Sequence, residues 1–163
     1  MVGEVEKILA DTGLSLPEAA APLAAYVPWV RTGNLLFVSG QLPMGPDGLA
    51  TGTLTSADHA DGAPPAGSNL AYAKAAAQMC ALNVLAHVKS AAGELDSVAR
   101  VVKLTGFVSS DGSFRQHPMV INGASELMAT AFGNAGQHAR AAVGSSSLPL
   151  GAICEVEGVF ELV

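Results

Sequence analysis

Two charged residues near the C-terminal end of the chain are embedded in apolar sequence. Arg140 lies between alanines, ahead of Ala-Val-Gly, and Glu155 interrupts the run Gly-Ala-Ile-Cys just before Val156. Burying an unpaired charge is costly, so each of the two needs an ion partner, a ligand or an open face. A guanidinium selects carboxylates through its two-pronged donor, and a carboxylate can deprotonate a water molecule. These residue types indicate a small-molecule site, a salt bridge or a solvated surface.

A second segment that could take part in a binding site or a reaction is Val38-Ser-Gly-Gln-Leu-Pro43. Gly40 follows Ser39 at the end of a predicted strand, where a missing side chain allows close backbone approach; a plain strand-end glycine is the alternative. Other candidates are weaker. The histidines have no metal-ligand spacing, so we expect ordinary side chains, and Ser145–Ser147 lack the surroundings of a nucleophilic serine. These histidines are His59, His87, His117 and His138.

Composition limits the class of protein. Half of the 163 residues are hydrophobic and 13% are charged, which fits one globular domain over residues 1–163. The net charge is −6 and the eight Lys and Arg residues are scattered, which argues against a nucleic-acid surface. The N-terminus lacks the basic region of a signal peptide, and no apolar run approaches a membrane span, so we predict a cytoplasmic protein without membrane contact. Cys80 and Cys154 lie in apolar surroundings and are predicted to be free thiols.

The helices and strands that must position these residues are predicted from the spacing of apolar residues and from the glycines and prolines that interrupt it. Within segment 1–24 we predict a helix over 3–13 and a connector, and within 43–67 a surface loop with one short strand near 49–54. A long apolar stripe after the N-cap Ser68, ending at Gly93, predicts the principal helix. The remaining predictions are strands over 25–31, 34–42, 98–109, 139–143 and 152–163, and a second helix over 120–132.

This order of elements predicts an α+β two-layer sandwich, with one mixed β-sheet and two main helices on one of its faces. In the last strand Cys154, Val156, Phe160 and Leu162 alternate with glutamates, so one face should meet the helices and the other should carry carboxylates. A half-polar face on so hydrophobic a chain suggests packing against other subunits around a polar cleft. An ordinary solvated face would give the same pattern.

Taken together, these residues resemble the Rid proteins, the YjgF-like reactive-intermediate deaminases also called L-PSP endoribonucleases. The resemblance runs from Tyr26 to the C-terminus and rests on five motifs. They are Gly33-Asn-Leu-Leu-Phe-Val-Ser-Gly-Gln-Leu-Pro43, Asn83-Val-Leu, Val101-Val-Lys-Leu-Thr-Gly-Phe-Val108, Ala139-Arg-Ala-Ala-Val143 and Leu148-Pro…Glu155-Val-Glu157. The resemblance implies a chorismate-mutase-like homotrimer with clefts between subunits, in which 2-imino and 2-enamino acids are hydrolysed to 2-keto acids and ammonia without a cofactor.

The resemblance also implies roles for individual residues. Arg140 would hold the substrate carboxylate, with a salt bridge to Glu155 as the alternative, and Glu155 would position or deprotonate the attacking water. The Ser39-Gly40 backbone would receive the imino hydrogen. Tyr26 would reach across the subunit interface, although it also fits a half-buried edge strand. The cleft asparagine matches Asn122 by type, while Ser125 matches by its distance to Phe132.

The chain also departs from the well-studied deaminases. Ala142 replaces the cysteine that follows their arginine by two residues, and the N-terminal helix and the 43–67 loop are additions, so the chain resembles a longer branch of the family. A non-enzymatic trimer that binds a small carboxylate is the main alternative function, since the same arginine serves both. An endoribonuclease is a third, disfavoured because there is no basic stripe and no histidine pair.

Overall fold

One layer of the molecule is a five-stranded mixed sheet and the other is formed by helices. The computed structural model describes residues 3–21 and 25–163. Its helices are α1 (Glu4–Asp11), α2 (Asn69–Ala92) and α3 (His117–Phe132). Its strands are β1 (Trp29–Thr32), β2 (Leu35–Gln41), β3 (Met44–Gly45), β4 (Gly48–Leu49), β5 (Val98–Ser109), β6 (Ala139–Ser145) and β7 (Cys154–Leu162). The predicted α+β sandwich is confirmed.

The sheet has the order β1-β2-β7-β5-β6, and β3 pairs only with β4. Only the β5–β6 pair is parallel, because α3 carries the chain back between these two strands; the other neighbours are antiparallel. The alternation predicted for β7 is confirmed, since Cys154, Val156, Phe160 and Leu162 are buried beneath the helices. Glu155, Glu157, Val159 and Glu161 therefore face the uncovered side of the sheet.

The principal helix has the predicted bounds. The hydroxyl of Ser68 accepts a hydrogen bond from the backbone N–H of Ala71, and Gly93 ends the helix. The second helix begins at His117, three residues earlier than predicted, because Pro118 is well tolerated in a first helical turn. Where α2 and α3 cross, a Cβ on Gly123 would overlap the carbonyl oxygen of Lys74, so glycine permits the close contact.

Helix α1 lies on the body of the protein as predicted, with Val5 and Leu9 buried. It packs against α3 and the short turn 95–97. The carboxylate of Asp96 accepts hydrogen bonds from the backbone N–H groups of Glu4 (2.8 Å) and Val5 (2.9 Å), because the N-cap residue, Gly3, has no side chain to do so. Of the predicted segment 1–24, residues 1, 2 and 22–24 lie outside the described residues.

Two predicted β segments differ from the structure. Strand β1 begins at Trp29 rather than residue 25, because Pro28 cannot donate to a ladder and bends precede it. In place of one short strand near 49–54, the loop 43–67 contains the β3–β4 hairpin and two isolated bridges, Thr51 to Ala152 and Leu54 to Ser110. Among the described residues, no helix is both long and apolar enough to cross a membrane.

Candidate functional site

Arg140 is on the edge strand β6 and its side chain is fixed by helix α3. It pairs with Leu104 of β5, a core residue, and so lies on the helix-covered side of the sheet. Its Nη1 donates hydrogen bonds to the Oδ1 of Asn122 (2.8 Å) and the Oγ of Ser125 (3.0 Å). Both acceptors are on the same face of α3, three residues apart. The two candidates for the cleft position thus act together on one guanidinium.

His138 orients the hydroxyl of Ser125. Its Nδ1 lies 2.6 Å from the carbonyl oxygen of Gly136, so this nitrogen carries the proton in the neutral ring. Its Nε2 then accepts a hydrogen bond from the hydroxyl of Ser125 (2.9 Å), which in turn accepts from Arg140. His138 is an ordinary, hydrogen-bonded histidine as predicted, but no residue pattern indicated that it orients Ser125 beneath the arginine.

The rest of the Arg140 guanidinium is available to a ligand. Arg140 is exposed, and only Nη1 donates to another described residue. No carboxylate in 3–21 or 25–163 lies within 4.0 Å of it, so the salt bridge to Glu155 that the sequence left open does not form. Nη2 and Nε remain as donors with which arginine can bind a carboxylate.

Glu155 is on β7, on the uncovered face of the sheet, and it contacts Gly40. Strand β2 is irregular between Val38 and Gln41, where its pairing with β7 shifts register. The irregularity brings Gly40 against Glu155, so that a Cβ on Gly40 would overlap the Oε1 of Glu155. Glycine is therefore needed at position 40 for the carboxyl group to occupy this place, which is more than the role of a plain strand-end glycine.

The environment of Glu155 disfavours its charged form. Partial burial raises the pKa of this carboxyl above its usual range, and the neighbouring carboxylate of Glu157 raises it further. No cation of the described residues pairs with it. A carboxylate of raised pKa is a better proton acceptor than an ordinary glutamate, which suits general-base chemistry.

Tyr26 and Ser39 lie beside Gly40. The backbone N–H of Ser39 donates to the carbonyl of Pro28 (2.9 Å), and its hydroxyl donates to the carbonyl of Val27 (2.8 Å). These bonds fasten the segment that carries Tyr26, a residue that is 46% exposed. Tyr26, Ser39, Gly40 and Glu155 thus form one group, and Arg140, Asn122 and Ser125 form another. We call them the glutamate half and the arginine half.

The two halves lie far apart within one chain. Arg140 pairs with Leu104, whereas Glu155 pairs with Phe107, and β5 lies between their strands. Two strand spacings of about 4.8 Å and three residue rises of about 3.3 Å place their Cα atoms roughly 14 Å apart. Their side chains also leave opposite faces of the sheet. No single small substrate can touch both residues of the same chain.

Ala142 lies two residues beyond Arg140 on the same face of β6 and packs against the hydrophobic core. It shares this face with the arginine half, so its small side chain leaves space beside the guanidinium.

Comparison with known proteins gives consistent results. Residues 6–162 match the family model described as "YjgF/chorismate_mutase-like, putative endoribonuclease". The chain is 44% identical over 162 residues to Protein TCP17 of Trypanosoma cruzi, covering 98% of this chain and 95% of that protein. Atu1372 of Agrobacterium tumefaciens, whose structure is described as having unknown function, is 44% identical with a TM-score of 0.83, over 98% of this chain and 93% of that one. RidA of the Antarctic bacterium Psychrobacter is 25% identical with a TM-score of 0.58, over 89% and 94%.

Proposed function

The chain belongs to the YjgF/chorismate-mutase-like (Rid) family, and on that premise we propose that it hydrolyses 2-imino and 2-enamino acids to 2-keto acids and ammonia. The reaction takes place where the arginine half of one copy meets the glutamate half of another copy in a homotrimer. It requires no cofactor, since imines already hydrolyse in water and the protein supplies binding, orientation and a positioned base.

One observation carries the proposal: Arg140 is held by two neutral oxygens. Asn122 and Ser125 fix one end of the guanidinium without cancelling its charge. The other donors are exposed and can form two parallel hydrogen bonds with a substrate carboxylate. An arginine with only a structural role would be expected to end on a carboxylate of its own chain, and Arg140 does not.

Glu155 supplies the proton transfer. Its carboxylate accepts a proton from water while the water oxygen forms a bond to the imine carbon and the C=N electron pair moves to nitrogen. The proton held by Glu155 passes to this nitrogen to give a carbinolamine, whose hydroxyl proton is then transferred to the same nitrogen as the C–N bond breaks, the C=O bond forms and ammonia leaves. The raised pKa of Glu155 suits both directions of this transfer, because the carboxyl can also return the proton to the departing nitrogen.

An exposed apolar row on the uncovered sheet face supports assembly of the two halves from different copies. Val30 of β1 pairs with Phe37 of β2, which pairs with Val159 of β7. Val30 and Phe37 are 54% and 44% exposed. Apolar side chains in such a row are typical of the centre of a subunit interface. Covering this face with a second copy would bring a neighbour's edge strand towards Glu155.

The activity is tested by measuring keto-acid and ammonia formation from imino acids that an amino-acid oxidase generates in place. Arg140→Ala should raise the Kd for 2-ketobutyrate at least about tenfold, since it removes a charge-assisted contact, and Arg140→Lys should restore little. Arg100→Ala is the matched control, an exposed arginine on the neighbouring strand. Glu155→Gln should lower turnover by about 10²–10⁴-fold while keto-acid binding changes little.

The two-copy site is tested by mixing inactive variants. Arg140→Ala and Glu155→Gln chains, co-expressed in equal amounts, should regain about a quarter of wild-type activity, because random assembly around a cyclic trimer restores both intact halves in that share of clefts. No recovery in a mixed trimer would contradict a site shared between two copies.

Two other outcomes would replace the proposed activity. Keto-acid binding that depends on Arg140 without any turnover of imino acids would make the protein a carboxylate-binding trimer. Cleavage of RNA that survives Arg140→Ala, with no imine turnover, would favour the endoribonuclease activity named in the description of the family model.

A further inference from the structure

A cavity of about 580 Å³ lies beneath the N-terminal connector, on the helix side of the sheet. Its roof is the segment 13–21, its floor is helix α2, and its side wall is the end of β2 with the β3–β4 hairpin. The volume is in the range of pockets that hold a small organic molecule. The arginine half contributes none of its described lining, while Tyr26 and Gly40 of the glutamate half lie at its edge.

A buried histidine points to a ligand in this cavity. His87 of α2 is only 3% exposed and lines the cavity. Neither ring nitrogen has a hydrogen-bond partner among the described residues, and neither is sealed from water-sized space, so both are open to a ligand in the cavity. Burial lowers the pKa of His87, so the ring is neutral at pH 7, with one nitrogen donating and one accepting.

Two amides extend this polar group. The Nδ2 of Asn83 donates to the carbonyls of Leu42 (2.8 Å) and Met44 (3.0 Å), which leaves Oδ1 as an acceptor. The Nε2 of Gln41 donates to the carbonyl of Ser39 (3.0 Å), which leaves its Oε1 in the same way. The available groups are therefore mostly acceptors, and they match a ligand that donates N–H or O–H hydrogen bonds.

The charge of the lining excludes an acidic ligand. No lysine or arginine is among the described residues that line the cavity, and its one formal charge is Glu18 of the roof. Leucine, methionine, proline and alanine side chains form most of the remaining wall. A carboxylate would lose its hydration here without gaining a cation, which contrasts with the exposed guanidinium of the arginine half.

We propose that this cavity is a second binding site, which takes an uncharged, mostly apolar ring compound carrying an N–H or O–H donor that bonds to His87 and the two amides. The arginine half of the same chain does not line this site, and its occupancy does not depend on the imine hydrolysis proposed above.

The test compares 2-naphthol with 2-naphthoate, two ligands that share a ring system but differ in charge at pH 7. Isothermal titration should show saturable binding of one 2-naphthol per chain, and 2-naphthoate should bind at least tenfold more weakly. Ala20→Trp places an indole at the cavity roof and should abolish 2-naphthol binding. Ala19→Trp is the matched control, since Ala19 lies in the same exposed segment but does not line the cavity.

His87→Phe keeps a ring in place but removes its polar atoms. It should weaken 2-naphthol by about tenfold, the equivalent of one hydrogen bond, and leave naphthalene binding unchanged. Arg140→Ala should bind 2-naphthol as the wild type does, which separates this site from the imino-acid cleft. The proposal is overturned by an absence of saturable 2-naphthol binding, by equal binding of 2-naphthoate, by full binding to Ala20→Trp, or by loss of binding in Arg140→Ala. Unchanged 2-naphthol affinity in His87→Phe would overturn the role of the imidazole.

Discussion

Replacing Gly40 by alanine should inactivate the protein without unfolding it. The new Cβ would overlap the Oε1 of Glu155 and lie 2.9 Å from its Cδ and 3.1 Å from its Cγ. Carbon atoms in contact are normally about 3.5–4.0 Å apart, so the carboxyl must move by roughly 1 Å or more. It can do so by swinging further out over the uncovered face.

Moving the carboxyl group should cost little stability but much catalytic rate. Pushing one side chain off its preferred rotamer costs about 0.5–1.5 kcal/mol, so the free energy of unfolding should fall by no more than that amount. A base displaced by about 1 Å lowers the rate of the chemical step by about 10²-fold. We therefore expect a folded Gly40→Ala protein that binds 2-ketobutyrate normally through Arg140 and turns over imino acids about a hundred times more slowly.

Imine turnover, keto-acid titration and thermal unfolding of the same samples check this expectation. Gly112→Ala is the matched control, because a Cβ there meets no atom within 4 Å. The double variant Gly40→Ala with Glu155→Gln should be no slower than Glu155→Gln alone, since both changes act on one carboxyl. Wild-type turnover in Gly40→Ala, or multiplied losses in the double variant, would refute the idea that Gly40 positions the base.

Three further predictions concern stability. The folded state raises the pKa of Glu155, so this residue stabilises the fold most below pH 4.5, and the stabilisation is lost as pH rises through the raised pKa. Glu155→Gln should therefore raise Tm at pH 8 but not at pH 4, as measured by calorimetry. Asp96 has a lowered pKa from capping α1, so Asp96→Ala should cost about 1 kcal/mol in urea unfolding at pH 7, a difference that disappears as pH falls below 3.8. Gly123→Ala forces α3 away from the Lys74 carbonyl and should cost about 1–3 kcal/mol in the same assay, while the Gly112→Ala control costs little.

The sequence allowed most of the elements to be predicted because their signals are local. Ser68 and Gly93 bracket α2, and the alternation of β7 identifies which residues face the helices. The errors occur where a local signal is overruled. Pro28 delays β1, Pro118 advances α3, and the loop 43–67 forms a small hairpin that its glycines and prolines do not specify in advance.

The candidate site was only partly predictable, for a different reason. Residue types and motif spacing identified Arg140 and Glu155, but the opposite directions of their side chains depend on which core residues flank them in the finished sheet. The shared role of Asn122 and Ser125 depends on their three-residue spacing in α3, which places both side chains on the helix face that meets Arg140. The contact between Gly40 and Glu155 depends on an irregularity in β2 that no residue pattern announces.

The separation of the two halves within a chain has a chemical consequence. If Arg140 met Glu155 directly, each charge would cancel the other, the pKa of the carboxyl would fall, and the arginine would lose its capacity for a substrate carboxylate. Neutral oxygens hold Arg140, and burial together with Glu157 raises the pKa of Glu155, so each keeps the property that the proposed catalysis requires. In the proposed two-copy site a bound imino acid would lie between them, with its carboxylate on one chain's arginine and its imine carbon near the other chain's base. The substrate itself would then prevent the neutralising contact, and in the empty cleft the anchoring of Arg140 by Asn122 and Ser125 would keep the two charges apart.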